Sequence, residues 1–263
     1  MNLPPPSVPP PPPPPRATTR RPSARIQRRE RVRQQQTTPR WAGPNRRRSN
    51  QMSFTNAIIA TNVGLYVWGI LNSLATTSRG GITDYEARLG LMRQFIDAGE
   101  WYRLISSGFL HFGLLHVAMN MFLLFQLGRM LEPLLGPGKF GLIYFVSLLG
   151  GSAGALLLSP NAFTGGASGA VFGVMAAAVV GTRARGTNPF RTGLGMTFAI
   201  NIAFTIAIPG VSIGGHFGGA IAGALCGAVI LAPAQWRLPA WSQTVIPALI
   251  GLAAIYIAVT PSL

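Results

Sequence analysis

The sequence has only one cysteine, Cys226, among 263 residues. A disulfide needs two cysteines and a thiolate metal site needs more, so this chain can build neither from its own thiols. Histidine is also scarce, with His111, His116 and His216 alone, and no two of them form the HExxH pattern of a helical zinc site. These absences argue against a cysteine-based metal site and against a HExxH zinc site.

Acidic residues are equally rare: six Asp and Glu stand against 22 Lys and Arg, for a net charge of +16. After residue 100 the only acid in or beside an apolar run is Glu132. This distribution argues against an intramembrane aspartyl protease, which needs two acids within its spans.

The first 50 residues contain almost no aliphatic side chains. They hold 12 of the 22 basic residues, 13 of the 22 prolines and one acid, Glu30. Such a segment buries too little apolar surface to offset the entropy of ordering it. We therefore predict a disordered tail over residues 1–50.

The arginines of this tail have three interpretations. Attraction to anionic lipid headgroups requires nothing further. A nucleic-acid-binding arm would need more aromatic residues than Trp41 alone. An organellar transit peptide would need an amphipathic helix, which the prolines at 4–6 and 9–15 prevent. We favour anionic lipid as the partner and expect no nucleic acid.

Long apolar runs dominate the rest of the chain. A helix needs about 18 or more mostly uncharged residues to cross a hydrocarbon core of about 30 Å. Seven runs approach this length, too many for the core of a soluble helical protein of this size, which is the alternative. They lie at roughly 54–75, 108–128, 140–159, 166–182, 192–209, 214–233 and 243–260. We predict an all-α polytopic membrane protein with seven spans.

Charge alternates along the segments that connect these runs. The tail and segments 129–139, 183–191 and 234–241 are basic, whereas 76–107 balances four arginines with four acids, and 160–165 and 209–213 carry no charge. Because basic segments stay on the cytoplasmic side, we predict a cytoplasmic N-terminus and an outer C-terminus. The expected location is the cell membrane, with a bacterial plasma membrane favoured over an organelle.

Polar residues lie at the starts of three runs, on the side that this orientation makes the outer one. The second run begins with His111, His116 and Asn120, the fourth with Ser168 and the sixth with His216. Polar groups inside spans are costly and tend to mark function. His116 and Asn120, four residues apart, share a helical face. A serine, a histidine base and two neutral hydrogen-bond donors are the groups that acyl transfer requires.

Each of these features also has an ordinary structural explanation. A serine in a membrane helix commonly bonds to its own backbone, and glycines four residues apart allow close helix packing. That spacing occurs twice, at Gly165, Gly169 and Gly173, and at Gly215, Gly219, Gly223 and Gly227. If these two faces meet, a Ser168–His216 hydrogen bond comes within reach. Because Glu132 is at the inner end of its run, we predict a dyad and no Ser–His–Asp triad.

These motifs resemble those of the rhomboid intramembrane serine proteases over roughly residues 54–233. GASG at 166–169 is similar to the family's nucleophile motif, GHFGG at 215–219 to its general-base motif, and HFGLLHVAMN at 111–120 to its second-span motif. GRMLEPLLG at 128–136 is similar to the inner turn in which the acid, here Glu132, is structural. The first outer loop departs from the pattern, because Tyr102 stands between Trp101 and Arg103.

The resemblance implies a role for each polar residue of the cluster. Ser168 is the implied nucleophile, His216 the general base, and Asn120 and His116 the oxyanion donors. His111 and Gly166 are the implied accessory positions.

The resemblance also implies an architecture and an activity. A six-span catalytic core at 51–233 would be followed by one added C-terminal transmembrane helix at 234–263. The activity would be hydrolysis, with no metal and no cofactor, of a peptide bond in or near the transmembrane helix of single-span membrane-protein substrates. A catalytically inactive rhomboid-like binding protein or chaperone is the alternative, and a transporter would carry its polar groups on toward the inner face.

Overall fold

The fold is known from a computed structural model, which describes residues 53–75 and 83–260. The predicted disordered tail lies outside the described residues. Within them the chain is helical, with no strand beyond a single bridge between Leu91 and Thr164. The helices are α1 Phe54–Ala75, α2 Asp84–Leu89, α3 Arg93–Asp97, α4 Arg103–Ser106, α5 Leu114–Leu135, α6 Pro137–Leu158, α7 Ser168–Ala184, α8 Leu194–Ala207, α9 Ile213–Ile230 and α10 Ser242–Val259.

Each of the seven apolar runs forms a helix, and the chain is an all-helical polytopic membrane protein. Five helices, α1, α5, α6, α9 and α10, are long and apolar enough to cross a membrane. α7 and α8 are apolar but shorter, with 17 and 14 residues. At about 1.5 Å per residue they extend roughly 26 and 21 Å, less than the ~30 Å of a hydrocarbon core.

The second run was predicted at 108–128, and this boundary is wrong. A 3₁₀ turn occupies Ser107–Phe109, and the helix begins only at Leu114 and continues to Leu135. Gly108 packs so closely against Leu148 that a Cβ built on it would lie 2.4 Å from a methyl carbon of that leucine. His111 therefore precedes the helix, where its side chain can reach other segments.

Glycine brings α6, α7 and α9 into backbone contact. The two predicted glycine faces meet, since a Cβ on Gly219 would lie 2.0 Å from the carbonyl oxygen of Gly169. α6 contacts the other side of α9 in the same way, because a Cβ on Gly218 would lie 2.3 Å from the carbonyl oxygen of Gly150. Such approaches let helices pack in lipid, where no hydrophobic drive exists between them.

Glu132 joins the end of α5 to the beginning of α1. Its carboxylate accepts hydrogen bonds from the backbone N–H groups of Phe54 at 2.7 Å and Thr55 at 2.9 Å, and from the Thr55 hydroxyl. The first N–H groups of a helix have no partner within it and carry partial positive charge. A buried acid at this place is therefore structural, as the resemblance implied.

The segment between α1 and α5 folds around the buried Arg103, although Tyr102 stands directly before it. The guanidinium donates to the backbone oxygens of Ala87 at 2.7 Å and Gly90 at 2.8 Å and to the Glu100 carboxylate at 2.7 Å. The hydrogen bond from Arg103, followed by that from the Tyr102 hydroxyl, lowers the pKa of Glu100 below its usual value. These hydrogen bonds hold the segment together as a folded unit.

The glycine contacts predict a position-specific effect on stability. A Cβ on Gly223 would lie 2.1 Å from the carbonyl oxygen of Gly173, and backbone cannot move aside as a side chain can. We expect Gly223→Ala to destabilise the protein by about 1–3 kcal/mol, as other overpacked sites do. Gly64→Ala in α1 is the matched control, because nothing lies within 4 Å of the added carbon. Thermal unfolding in detergent measures both, and equal midpoints would contradict the backbone contact.

Candidate active site

Ser168 is the first residue of α7, and the segment before it is held by backbone hydrogen bonds. Leu91 and Thr164 exchange two bonds, of 2.8 and 2.9 Å, and the Gly166 N–H donates to the Ser107 oxygen at 2.8 Å. Gly166 has φ +133°, a backbone conformation that residues with a side chain rarely adopt. The segment between α1 and α5 and the start of α7 are therefore fixed relative to each other.

His116 lies beside this segment, in the first turn of α5. A Cβ built on Gly166 would be 2.7 Å from His116 Nε2 and 3.7 Å from Ser168 Oγ. The imidazole and the serine hydroxyl thus both lie near the position that a side chain on Gly166 would take. Ser168, His116 and His216 are all partly exposed.

His111 and Asn120 flank His116. The buried His111 accepts a long hydrogen bond of 3.5 Å at Nε2 from the Ala167 N–H, so it contacts the residue just before Ser168. Its ring is 5.0 Å from that of His116, centroid to centroid. The buried Asn120 donates from Nδ2 to the His116 backbone oxygen at 3.1 Å. One of its two amide hydrogens is thereby used within α5, and the other is left for a further acceptor.

His216 lies in the first turn of α9, which packs on α7. The Gly215 carbonyl oxygen would be 3.1 Å from a Cβ on Gly169, so the residues that adjoin His216 and Ser168 are in backbone contact. The imidazole stacks on Phe172, with ring centroids 4.1 Å apart and planes 18° from parallel. Its Nδ1 is 2.7 Å from the Thr205 hydroxyl.

The dyad hydrogen bond is not formed in this structure. Among the hydrogen bonds of residues 53–75 and 83–260, none joins Ser168 to His216. The structure brings the two elements together and leaves the side chains without that bond. Catalytic hydrogen bonds of substrate-free enzymes are often long and shorten only when substrate binds.

Two residues around His216, Phe172 and Thr205, were absent from the sequence-based site. Phe172 follows Ser168 by four residues and so shares its helical face, which is a usable signal. Thr205 belongs to a polar stripe on an otherwise apolar helix, with Thr197 and Asn201 at four-residue spacing. The stripe marks the polar face of α8, but only the packing shows that Thr205 meets a histidine.

The described ranges contain no group of three or more His, Cys, Asp and Glu side chains that could hold a metal ion. What they do contain is a serine at a helix N-terminus, with histidines from two other helices around it. The protein is therefore an all-helical membrane protein with a serine and histidines gathered at the starts of its helices. The Rhomboid domain family model matches residues 98–233, just over half of the chain. The chain belongs to the rhomboid family.

Curated relatives include both bacterial and eukaryotic proteins. Rhomboid protease GluP of Bacillus subtilis is 32% identical over 143 residues, covering 52% of this chain and 28% of GluP. RHOMBOID-like protein 6, mitochondrial, of Arabidopsis thaliana is 39% identical over 85 residues, covering 32% of this chain and 28% of that protein. Rhomboid-type serine protease 2 of Emericella nidulans is 29% identical over 123 residues, covering 44% and 24%. The chain thus spans less than a third of the length of each of these relatives.

Gly166 provides a test of the geometry around Ser168. In Gly166→Ala the added carbon would collide with the His116 ring and the backbone would be strained. A displacement of about 1 Å at such a site can lower a rate about 10²-fold, so we expect the rate at which a fluorophosphonate labels Ser168 to fall by that order. Gly138→Ala, with nothing within 4 Å of the added carbon, is the control. An unchanged rate in Gly166→Ala would mean that this contact does not matter to the site.

Proposed function

We propose that this protein is an intramembrane serine endopeptidase with Ser168 as nucleophile and His216 as general base. The observation that carries the proposal is the meeting of three helix starts: Ser168 at α7, His116 at α5 and His216 at α9. Membership in the rhomboid family and relatives named as proteases support it further. No acid is required, since serine and histidine suffice for acyl transfer when the histidine is held in place.

The proposed reaction has two halves. Ser168 Oγ attacks the carbonyl carbon of the scissile peptide bond while its proton passes to His216 Nε2. The tetrahedral intermediate collapses, the C–N bond breaks, and His216 gives that proton to the leaving amine. A water molecule then attacks the acyl-enzyme, again with His216 as base, and Ser168 is regenerated with release of the new carboxylate.

The oxyanion of each tetrahedral intermediate needs donors aimed at it. The Ser168 backbone N–H, at the N-terminus of α7, is one candidate because helix N-termini present unpaired N–H groups. The Asn120 amide and the His116 ring are the others. A Cβ built on Gly166 would lie 3.7 Å from Ser168 Oγ and 2.7 Å from His116 Nε2. Both groups therefore border the same space, which supports His116 in this role.

The proposed arrangement in the membrane follows the charge pattern. The chain would cross the membrane seven times, with α7 and α8 as short spans. The N-terminus and the Arg-rich tail 1–50 would lie at the anionic cytoplasmic surface of a bacterial plasma membrane. The site would lie near the outer face. Residues 51–233 would form the six-span catalytic core and 234–263 the added helix. Protease protection of an N-terminal tag in sealed vesicles whose lumen is the cytoplasmic side tests this arrangement. We expect the tag to be protected, and cleavage of the tag by protease added outside would contradict the arrangement.

The proposed substrates are single-span membrane proteins. A helix already satisfies its backbone hydrogen bonds, so Ser168 can attack only where the substrate helix unwinds into an extended segment. We expect segments with small, helix-weakening residues near the outer face to meet this condition.

Substitution of the two proposed catalytic residues tests the activity. We expect Ser168→Ala and His216→Ala each to abolish cleavage of a reconstituted transmembrane substrate, down by at least about 10³-fold, with unfolding temperatures close to that of the parent. Ser159→Ala, in the loop before the site, is the matched control and should retain full activity. A parent protein that binds the substrate but cleaves no faster than Ser168→Ala would instead be a catalytically inactive, rhomboid-like binding protein.

A further inference from the structure

We propose that Thr205 is a positioning residue for His216: its hydroxyl accepts a hydrogen bond from His216 Nδ1 and thereby leaves Nε2 as the basic nitrogen. The inference rests on the proposed function of His216 as general base. It adds an uncharged third member, contributed by α8, to a site that the sequence presented as a dyad.

Two contacts of one hydroxyl determine the direction of the bond. Thr205 Oγ1 is 2.8 Å from the Asn201 backbone oxygen and 2.7 Å from His216 Nδ1. A threonine hydroxyl has one hydrogen to donate, and a backbone carbonyl can only accept. The hydrogen therefore goes to Asn201, and the oxygen accepts from Nδ1–H of the imidazole. A neutral imidazole protonated at Nδ1 carries its free lone pair on Nε2.

Burial makes this contact specific. Only Gly195 and Thr205 are buried among the residues of α8, and Thr205 is 2% exposed. The face of the His216 ring stacks on Phe172, while the Nδ1 edge meets Thr205. With one face and one edge held, rotation of the ring is restricted, and Nε2 is the ring nitrogen left for the serine proton.

Threonine bonding to the carbonyl four residues earlier is ordinary in membrane helices. Thr197 makes the same bond to Gly193 at 3.1 Å, and Thr61 bonds to Ala57 at 2.9 Å. Thr61 is exposed and Thr197 is half-buried, and among the described residues only Thr205 has a histidine nitrogen as its second partner. Thr197 is therefore the matched control on the same helix.

A neutral acceptor can do part of the work of the carboxylate in a Ser–His–Asp triad. It selects the tautomer and orients the ring, and the oxygen remains a hydrogen-bond acceptor when His216 becomes positively charged. It takes no proton itself. The scarcity of acid near the site is then compatible with an oriented base.

The test compares Thr205→Val, which replaces the hydroxyl by a methyl group of similar size, with Thr205→Ser, which keeps the hydroxyl. In Thr205→Val we expect kcat to fall about tenfold to a hundredfold, short of the ~10⁴-fold loss that follows disruption of a charged orienting residue. KM and the unfolding temperature should stay near those of the parent. Thr205→Ser should recover activity to within about threefold, and Thr197→Val should match the parent throughout.

A second readout follows the imidazole itself. ¹⁵N chemical shifts of labelled histidine distinguish Nδ1–H from Nε2–H, and the His216 signals are identified by their loss in His216→Gln. We expect His216 to be protonated at Nδ1 in the parent and in Thr205→Ser, with Nε2–H gaining population in Thr205→Val. A merely structural threonine would leave these shifts unchanged.

The outcomes separate the two proposals. If Ser168→Ala cleaves substrate as the parent does, the proposed function is wrong regardless of Thr205. If Ser168→Ala is inactive while Thr205→Val keeps the parental kcat and tautomer, only the positioning role is wrong. It is also wrong if Thr205→Val lowers kcat and stability together and Thr205→Ser restores neither.

Discussion

Transmembrane helices gain no hydrophobic free energy when they exchange contacts with lipid for contacts with each other. They pack closely only where small residues on their surfaces let the backbones approach. In this protein α6, α7 and α9 meet backbone to backbone, with carbonyl oxygens of one helix at several places where a side chain would begin on the next. This contact sets the distance between the starts of α7 and α9. Ser168 and His216 each adjoin one of the contacting glycines, so the polar site depends on an apolar packing surface.

Around that contact, the described polar groups near the site are held mainly by neighbours that need no charge. His111 contacts the Ala167 N–H, Asn120 bonds within α5, and His216 is held by Phe172 and Thr205. Glu132, the one buried carboxylate among the described residues, caps α1 at the far end of α5. Charge is thus used to join helices, and neutral groups surround the serine. Within a membrane this division avoids the cost of an unpaired ion near the reacting atoms.

Much of this could be predicted from the sequence, for physical reasons. Apolar runs of span length identified every long helix, and four-residue glycine spacing identified the faces on which α7 and α9 meet. The start of α5 could not be found in this way, because residues 108–113 are as apolar as a helix but are shaped by packing against Leu148 and by the segment near Ser168. Thr205 was missed since its role depends on which face of α8 turns toward α9, and composition does not encode that.

The most direct test of the central claim is labelling by a fluorophosphonate, which reports the nucleophile without any choice of substrate. Attack by an activated serine oxygen forms an O–P bond and expels fluoride, and mass spectrometry of the digested protein locates the adduct. We expect a single adduct on Ser168 in the folded parent and its loss in His216→Ala. An adduct on a different serine, or labelling of Ser168 at the same rate without His216, would contradict the assignment.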